Sequence, residues 1–479
     1  MTIATGKSAD SLDLRGWLAA QGTAIWHPVE SLCVRHEITA LQHLLDRAGR
    51  FPPMLIRQPR LTDGALSGLA VATNLLASRT LAAHAMGIDD HRRAGPLLAA
   101  RTSTTIEPIV ERDGPIADRV FEGDAVDLTR LPALIQHSLD PGPYLTAAHA
   151  TTVDPETGID NTAIQRCWIK GPRRMSWFPY PASHNMQNLR KYWAAGQACP
   201  VAFWIGHHPA VMMGTQAKLT YPQSHWSVAG AIAGAPLRLL ETRVDGVGIR
   251  VPADAEILIE GRAPPNHLAA DGPFGEYTGY SGPQVGAPEV EVSRITMRDG
   301  AIYHDIGSGL ADALVPDNLM NEGKLFAEAS KVAPTLKNIH VPVSGRRFHA
   351  YLQLDRPAPG EARAALAATI ANRRVKAAFA FDADIDLFAP DSVLWAVATR
   401  VQWHRDSWIE QAQPGSLLDP SLDLGAKTTS KLAVDATLPS GPQRDAPQPV
   451  PPVLDVPGDA LDRARALLAA ADFNDWPGS

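Results

Sequence analysis

Apolar and polar positions follow two rhythms along this chain. Residues 11–21 carry apolar side chains at helical spacing behind Ser11, a capping residue, and predict an amphipathic helix. Residues 38–47 and 68–86 repeat that rhythm around a short strand at 54–57, a mixture that suits an α/β layer. From Tyr144 the period becomes two. Residues 144–153 and 161–170 predict strands joined by Asp154-Pro155-Glu156-Thr157-Gly158, a turn by composition. A helix at 184–195, a buried strand at 201–206 and β-patterned runs at 237–260, 289–296 and 301–306 follow. Antiparallel strands with helices outside them predict an open or split β-barrel. Residues 317–331 then predict a connecting helix, capped by Asp317 behind Pro316. Strand 348–354, helix 360–372, strand 375–381 and helix 391–399 have the order of a compact α+β unit. Residues 439–457 are proline-rich and extended, and 460–471 form a last apolar-faced helix, suited to packing on a neighbouring subunit or on its own chain. The fold class is α+β, and no internal repeat is visible.

Composition narrows this only a little. A length of 479 residues exceeds one simple core and predicts two or three domains. Hydrophobic residues at 45% and charged residues at 20% are ordinary for a soluble protein. A net charge of −7 gives no general attraction to nucleic acid or an anionic membrane. The first ten residues hold no long apolar run, so neither signal peptide nor anchor is expected. No later stretch approaches ~18 uninterrupted apolar residues, so no span is expected. Cys33, Cys167 and Cys199 form no CxxC, which excludes a disulfide framework or thiolate zinc site and suits a reducing cytoplasm.

Two short stretches carry candidate chemistry. Asn161-Thr162-Ala163-Ile164-Gln165-Arg166 alternates like a strand with one buried face, which puts Asn161 and Arg166 on opposite faces if the strand is regular. Asp271-Gly272-Pro273-Phe274-Gly275-Glu276 places two carboxylates around a Gly-Pro turn that can fold both into one small volume. An arginine with two carboxylates has the parts to hold a carboxylate substrate and move one proton. A surface loop beside an ordinary salt bridge would contain the same residues.

Pro143-Tyr144-Leu145-Thr146, the Asn161…Arg166 stretch, Val251-Pro252-Ala253-Asp254-Ala255-Glu256-Ile257, Gly272-Pro273-Phe274-Gly275-Glu276-Tyr277-Thr278-Gly279-Tyr280 and Leu394-Trp395-Ala396-Val397-Ala398-Thr399-Arg400 occur in that order. In them the chain resembles the UbiD family of reversible decarboxylases, which use prenylated FMN. The resemblance runs from Leu12-Asp13-Leu14-Arg15-Gly16-Trp17 to Ser430-Lys431-Leu432-Ala433-Val434-Asp435-Ala436-Thr437. It implies a cofactor-binding catalytic domain at 1–315 with a split barrel at about 120–310, a linking helix at 316–332, an oligomerisation domain at 333–438, and a strap and terminal helix at 439–479. It also implies a homo-oligomer, dimer or hexamer, and a flavin prenyltransferase that supplies the cofactor.

Residue by residue, the resemblance pairs Arg166 with Asp271 and makes Glu276 the general acid/base. The family usually has Glu where Asp271 stands, so the Arg contact is expected to be longer or the loop closer. Asn161, Ile164, Arg166, His184 and Lys431 fall at the cofactor, with Lys431 as the phosphate lysine. Asn161 and His184 match ligands of a divalent metal, Mn²⁺ or another, and a monovalent cation such as K⁺ is implied beside it. The third ligand position holds His225 instead of Glu, and no Asp or Glu occurs between Pro209 and Leu240. Residues 242–250 look like an insertion. Either His225 binds metal, or the site is altered or empty.

The chemistry is coherent. Decarboxylation leaves a carbanion that no side chain can accept, so a cofactor must be the electron sink. A carboxylic acid with a raised pKa can then return the proton. Arg keeps its charge and offers a planar fork for a carboxylate or the flavin edge. The sequence therefore reads as a cytoplasmic decarboxylase of an aromatic or α,β-unsaturated carboxylic acid, releasing carbon dioxide. A non-catalytic flavin-binding or assembly subunit and an FMN oxidoreductase on a split barrel are the alternatives. Trp168, Trp177, Phe178 and Tyr180 either face an aromatic substrate or belong to the core. Residues 306–314 are expected to face the flavin.

Overall fold

The computed structural model describes residues 12–423, 425–441 and 447–470. The Ser11 cap, Ala471 and the middle of the proline-rich stretch lie outside them. Within them the first helix is Leu14–Gln21, and Asp13 caps it by accepting from the Gly16 amide.

Residues 68–86 are a strand and then a helix, not one helix. Ala70–Thr73 lies between Met54–Ile56 and Ile302–His304 in a three-stranded sheet, and Arg79–Ala85 starts behind a Ser78 cap. Asn74, at φ 62°, turns the chain between them. An apolar run this short does not distinguish buried strand from helix by period alone.

A ten-stranded sheet forms the centre. Its longest strand, Val285–Met297, pairs with Arg119–Glu122, Arg174–Trp177, Ile257–Ala263 and Leu268–Asp271. The path runs from Tyr144–Leu145 at one end to Asp160–Ile164 at the other, and no pairing among the described residues closes it. Both faces are covered. Val201, Phe203 and Ile205 enter one core cluster, while Ala202 and Trp204 enter another beneath Pro209–Gly214 and Trp226–Ala233. The strand Cys199–Ile205 is therefore buried throughout. Residues 242–250 belong to a hairpin of Arg238–Val244 and Val247–Pro252, with Asp245 and Gly246 both at positive φ, as a tight two-residue turn requires.

The linking helix is Ala311–Ala329, which starts six residues before the expected position. Pro316 lies inside it and Asp317 is not its cap. A proline there forfeits one backbone bond, a loss that a long, mostly buried helix absorbs through packing. Beyond it a five-stranded sheet runs Leu336–His340, His349–Leu354, Ala377–Asp382, Thr428–Asp435, Ser407–Pro414, with helices Glu361–Ile370 and Pro390–Arg400. The last described helix, Gly458–Ala470, exposes Leu467 and Leu468. Among the described residues no helix is long and apolar enough to cross a membrane.

Candidate active site

The central sheet, the linking helix and loops of the C-terminal part together wall a cavity of about 840 Å³. The expected strand 161–170 breaks at its middle: Asp160–Ile164 ends, Gln165 and Arg166 are irregular, and Cys167–Gly171 begins. That break lets Asn161 and Arg166 line the same cavity, which a regular strand would have prevented.

Arg166 stands between both expected acids. Its Nε and Nη2 donate to Asp271 Oδ2 at 2.9 and 2.7 Å, and its Nη1 donates to Glu276 Oε1 at 2.5 Å. The rings of Phe178 and Phe274 lie 4.4 and 5.0 Å from its Cζ. Asp271 is fully buried, and its other oxygen accepts from Ser176 Oγ at 2.9 Å. The next amide, Gly272, donates to the Tyr144 hydroxyl at 2.8 Å. Gly272 has φ +79°, and a Cβ there would sit 2.7 Å from the Pro283 carbonyl oxygen, so the turn needs glycine. With the shorter acid, the Arg166–Asp271 contacts are of ordinary hydrogen-bond length.

Burial raises the Glu276 pKa above the ordinary carboxylate value, although Arg166 pulls the other way. Burial also opposes the charge on Arg166, but Asp271 and Glu276 outweigh it and raise its pKa. The arrangement is a fixed cation between two acids, of which Glu276 is biased towards its protonated form. A carboxyl whose pKa is raised in this way can give up a proton as well as accept one.

Asn161, His184 and His225 gather at another part of the cavity. Asn161 donates through Nδ2 to Asn185 Oδ1 at 2.7 Å, which leaves its oxygen for a ligand. His184 opens the helix His184–Ala194, with its ring 5.1 Å from that of Tyr221 and 6.2 Å from that of His225. His225 Nε2 lies 3.2 Å from the Ala217 carbonyl, and its buried Nδ1 has no partner. Burial lowers the pKa of both imidazoles, that of His225 to about 4, so both are neutral. The donor set is thus one amide oxygen and two neutral rings. Hard ions such as Mn²⁺ and Mg²⁺ prefer oxygen, usually with carboxylate charge, and this set does not fit them. Among the described residues no group of three or more His, Cys, Asp or Glu is placed to hold a metal ion.

Lys431 does not line the cavity. Its ammonium donates to the carbonyls of Ile370 and Asn372 at 2.6 and 2.7 Å, at the end of the helix Glu361–Ile370. It satisfies orphan carbonyls there, as a C-terminal basic residue does. The cavity's cations are others. Lys218 Nζ donates to Asp317 Oδ1 at 2.7 Å, Arg374 Nη1 donates to Oδ2 at 3.0 Å, and Arg347 Nε lies 3.1 Å from Oδ2. All four residues line the cavity. These cations hold Asp317 ionised, with its pKa well below the ordinary range against the effect of burial.

Phe178, Tyr180, Ile164, Ile306, Ser308 and Gly309 also face the cavity. Trp177 does not: it is buried in the core and donates to Gln165 Oε1. Trp168 packs on Tyr144 instead. Sequence reasoning missed Ser176, Tyr144, Lys218, Arg347 and Arg374. The adjacent arginines at 346–347 and 373–374 were local signals, whereas Lys218 had none.

Comparison with known proteins matches residues 108–310 to the UbiD family's 3-octaprenyl-4-hydroxybenzoate carboxy-lyase Rift-related domain, and residues 317–436 to its C-terminal domain. The anhydromevalonate phosphate decarboxylase of Methanothermobacter thermautotrophicus is 30% identical over 321 residues, 67% of this chain and 75% of that one. Its counterpart in Methanosarcina mazei is 29% identical over 78% of this chain and 86% of that one. Among solved structures, the UbiD-class enzyme HmfF from Pelotomaculum thermopropionicum in complex with FMN superposes at TM-score 0.85, with 30% identity, covering 97% of this chain and all (100%) of that one. An evolved dimeric form of HmfF in complex with prFMN gives TM-score 0.83, with 30% identity over 95% of this chain and 98% of that one.

Proposed function

The chain belongs to the UbiD family of carboxy-lyases, and we propose that it reversibly decarboxylates an aromatic or α,β-unsaturated carboxylic acid with prenylated FMN as its cofactor. The observation that carries this reading is Arg166 clamped between Asp271 and Glu276 inside a cavity of cofactor size. The residues present fit a flavin nucleotide. Ile164, Phe178 and Leu219 offer apolar wall for a ring system, and Lys218, Arg347 and Arg374 offer positive charge for its phosphate.

When bound, the prenylated flavin supplies the electron sink for the carbanion. The side chains do the rest. Arg166 orients the substrate carboxylate, or the edge of the ring system, from a position fixed by two acids and two aromatic rings. Asp271, held by Ser176, keeps the guanidinium in place. Glu276 delivers a proton to the carbon that has lost carbon dioxide, and takes one back in the reverse direction. Phe178 and Phe274 keep water from the reacting carbon. A non-catalytic flavin-binding subunit would have no use for this placement of acids.

We also read the protein as a homo-oligomer, since the C-terminal part exposes the large apolar side chains Leu394, Trp395, Trp403 and Ile409. The test of function is co-expression with a flavin prenyltransferase, followed by a panel of aromatic and acrylic acids. The expected result is a prenylated flavin in the purified protein and carbon dioxide release from at least one acid. Protein loaded with prenylated flavin that neither releases carbon dioxide nor exchanges deuterium with any product would overturn the reading.

A further inference from the structure

The charges around Asp317 do not balance. Lys218, Arg347 and Arg374 bring three positive charges to one carboxylate, so the cluster carries two in excess. Lys218, Arg347 and Asp317 are mostly buried, with 22, 14 and 11% of their side chains exposed, while Arg374 keeps 42% and carries its charge at the edge of the cluster. Arg347 Nε, though near Asp317, has no hydrogen-bond acceptor. Excess charge at such depth is unfavourable unless an anion joins it. A phosphate monoester, with a charge of about −1.5 to −2, closes the balance.

A divalent ion would do the opposite. With phosphate seated, the three cations and Asp317 leave a sum near zero, and a metal would restore two positive charges. The residues at the expected metal position, Asn161, His184 and His225, bring no negative charge. The cavity's carboxylates are engaged elsewhere: Asp317 by three cations, Glu276 by Arg166 and Glu328 by Lys324 one turn before it on the linking helix.

We propose that this chain binds its flavin phosphate directly through Lys218 and Arg374, supported by Arg347, with the Lys218 ammonium doing the work of a divalent metal ion that the site does not take. This rests on the reading that the cavity holds a flavin nucleotide. It makes the His225 position a consequence: once a built-in cation neutralises the phosphate, a metal-binding carboxylate there is no longer needed.

The experiment compares FMN with riboflavin, which lacks the phosphate. Full-length protein freed of flavin is titrated with each, in EDTA and again with Mn²⁺, Mg²⁺ or Zn²⁺, and the metal content of the FMN complex is measured. Lys218→Met and Lys218→Arg are titrated beside the wild type. Expected results are an FMN preference that persists in EDTA, no stoichiometric metal, and a loss of at least about tenfold in FMN affinity in Lys218→Met but not in Lys218→Arg, as for a hydrogen bond to a charged group. Riboflavin affinity stays unchanged in both variants. An FMN preference that disappears in EDTA and returns with one metal per flavin overturns the proposal and leaves the flavin reading intact. A folded Lys218→Met that keeps the full preference also overturns it. Failure to bind either flavin overturns the flavin reading itself. If Lys218→Met does not fold, the wild-type arms decide alone.

Discussion

The most demanding test of the site concerns how Arg166 and Asp271 depend on each other. Their partners are unequal: Asp271 has one cation, whereas Arg166 has two carboxylates. Arg166→Met strands a fully buried carboxylate with only the Ser176 hydroxyl as a side-chain donor, and breaking a buried pair in this way costs about 3–5 kcal/mol. Asp271→Asn leaves Arg166 its bond to Glu276 and keeps the shape of the side chain, so the expected cost is that of weakened hydrogen bonds, about 1–3 kcal/mol. In the double variant the stranded charge is gone. Its cost should lie near or below that of Arg166→Met alone, a coupling of about 1–3 kcal/mol. Urea unfolding of all four proteins at pH 7, followed by tryptophan fluorescence, measures this. Losses that add to within ~0.5 kcal/mol would mean the pair is not coupled, and a costlier Asp271→Asn would refute the asymmetry.

Four further outcomes follow from the contacts of the site. Glu276→Gln should keep its cofactor and lose product formation by ~10² or more, measured as single-turnover rate. Because the Glu276 pKa is raised, the proton-donating form is present at low pH and is lost as pH rises through that value. Asp271 is one of the groups raising it, so Asp271→Asn should move the alkaline limb of the rate profile to lower pH. Lys431→Met should leave FMN affinity within about twofold yet destabilise the protein by about 1–2 kcal/mol, since the Ile370 and Asn372 carbonyls lose a donor. Burial lowers the Lys218 pKa to about 8, with Asp317 opposing and Arg374 and Arg347 reinforcing the shift. The ammonium is charged below that value and neutral above it, so FMN affinity should fall as pH is taken from 7 to 9.5. A flat profile would separate Lys218 from the phosphate.

What the sequence disclosed was local chemistry. Asp271, Glu276 and the glycine turn between them are adjacent in the chain, and the turn alone dictates that they approach each other. Arg166 was legible through the motif, although strand periodicity misplaced it relative to Asn161, because a two-residue break resets the alternation. Asp317 was misread for a definite reason. Proline followed by aspartate is a strong helix-start pattern, and only burial in the linking helix, with three cations brought from distant positions, shows the acid to be internal. Lys431 shows the converse. Its motif placed it at a phosphate, but the ammonium meets two carbonyls before it reaches the cavity. No periodicity encodes the meeting of Lys218, Arg347 and Arg374, which are separated by 129 and 27 positions and joined only by the tertiary fold.

The cluster on Asp317 also decides whether this protein can be divided. Arg166, Asp271, Glu276 and Lys218 all precede the linking helix, Asp317 lies on it, and Arg347 and Arg374 follow it. A chain cut between residues 310 and 317, where the two family domains meet, would leave Arg166, Asp271 and Glu276 on the first piece together with only one of the three cations around Asp317. That piece would hold the reactive groups without most of the grip on an anion, and the second piece the grip without the reactive groups. The two halves are therefore not interchangeable modules, and a graft or truncation at this natural-looking seam would divide a single binding site.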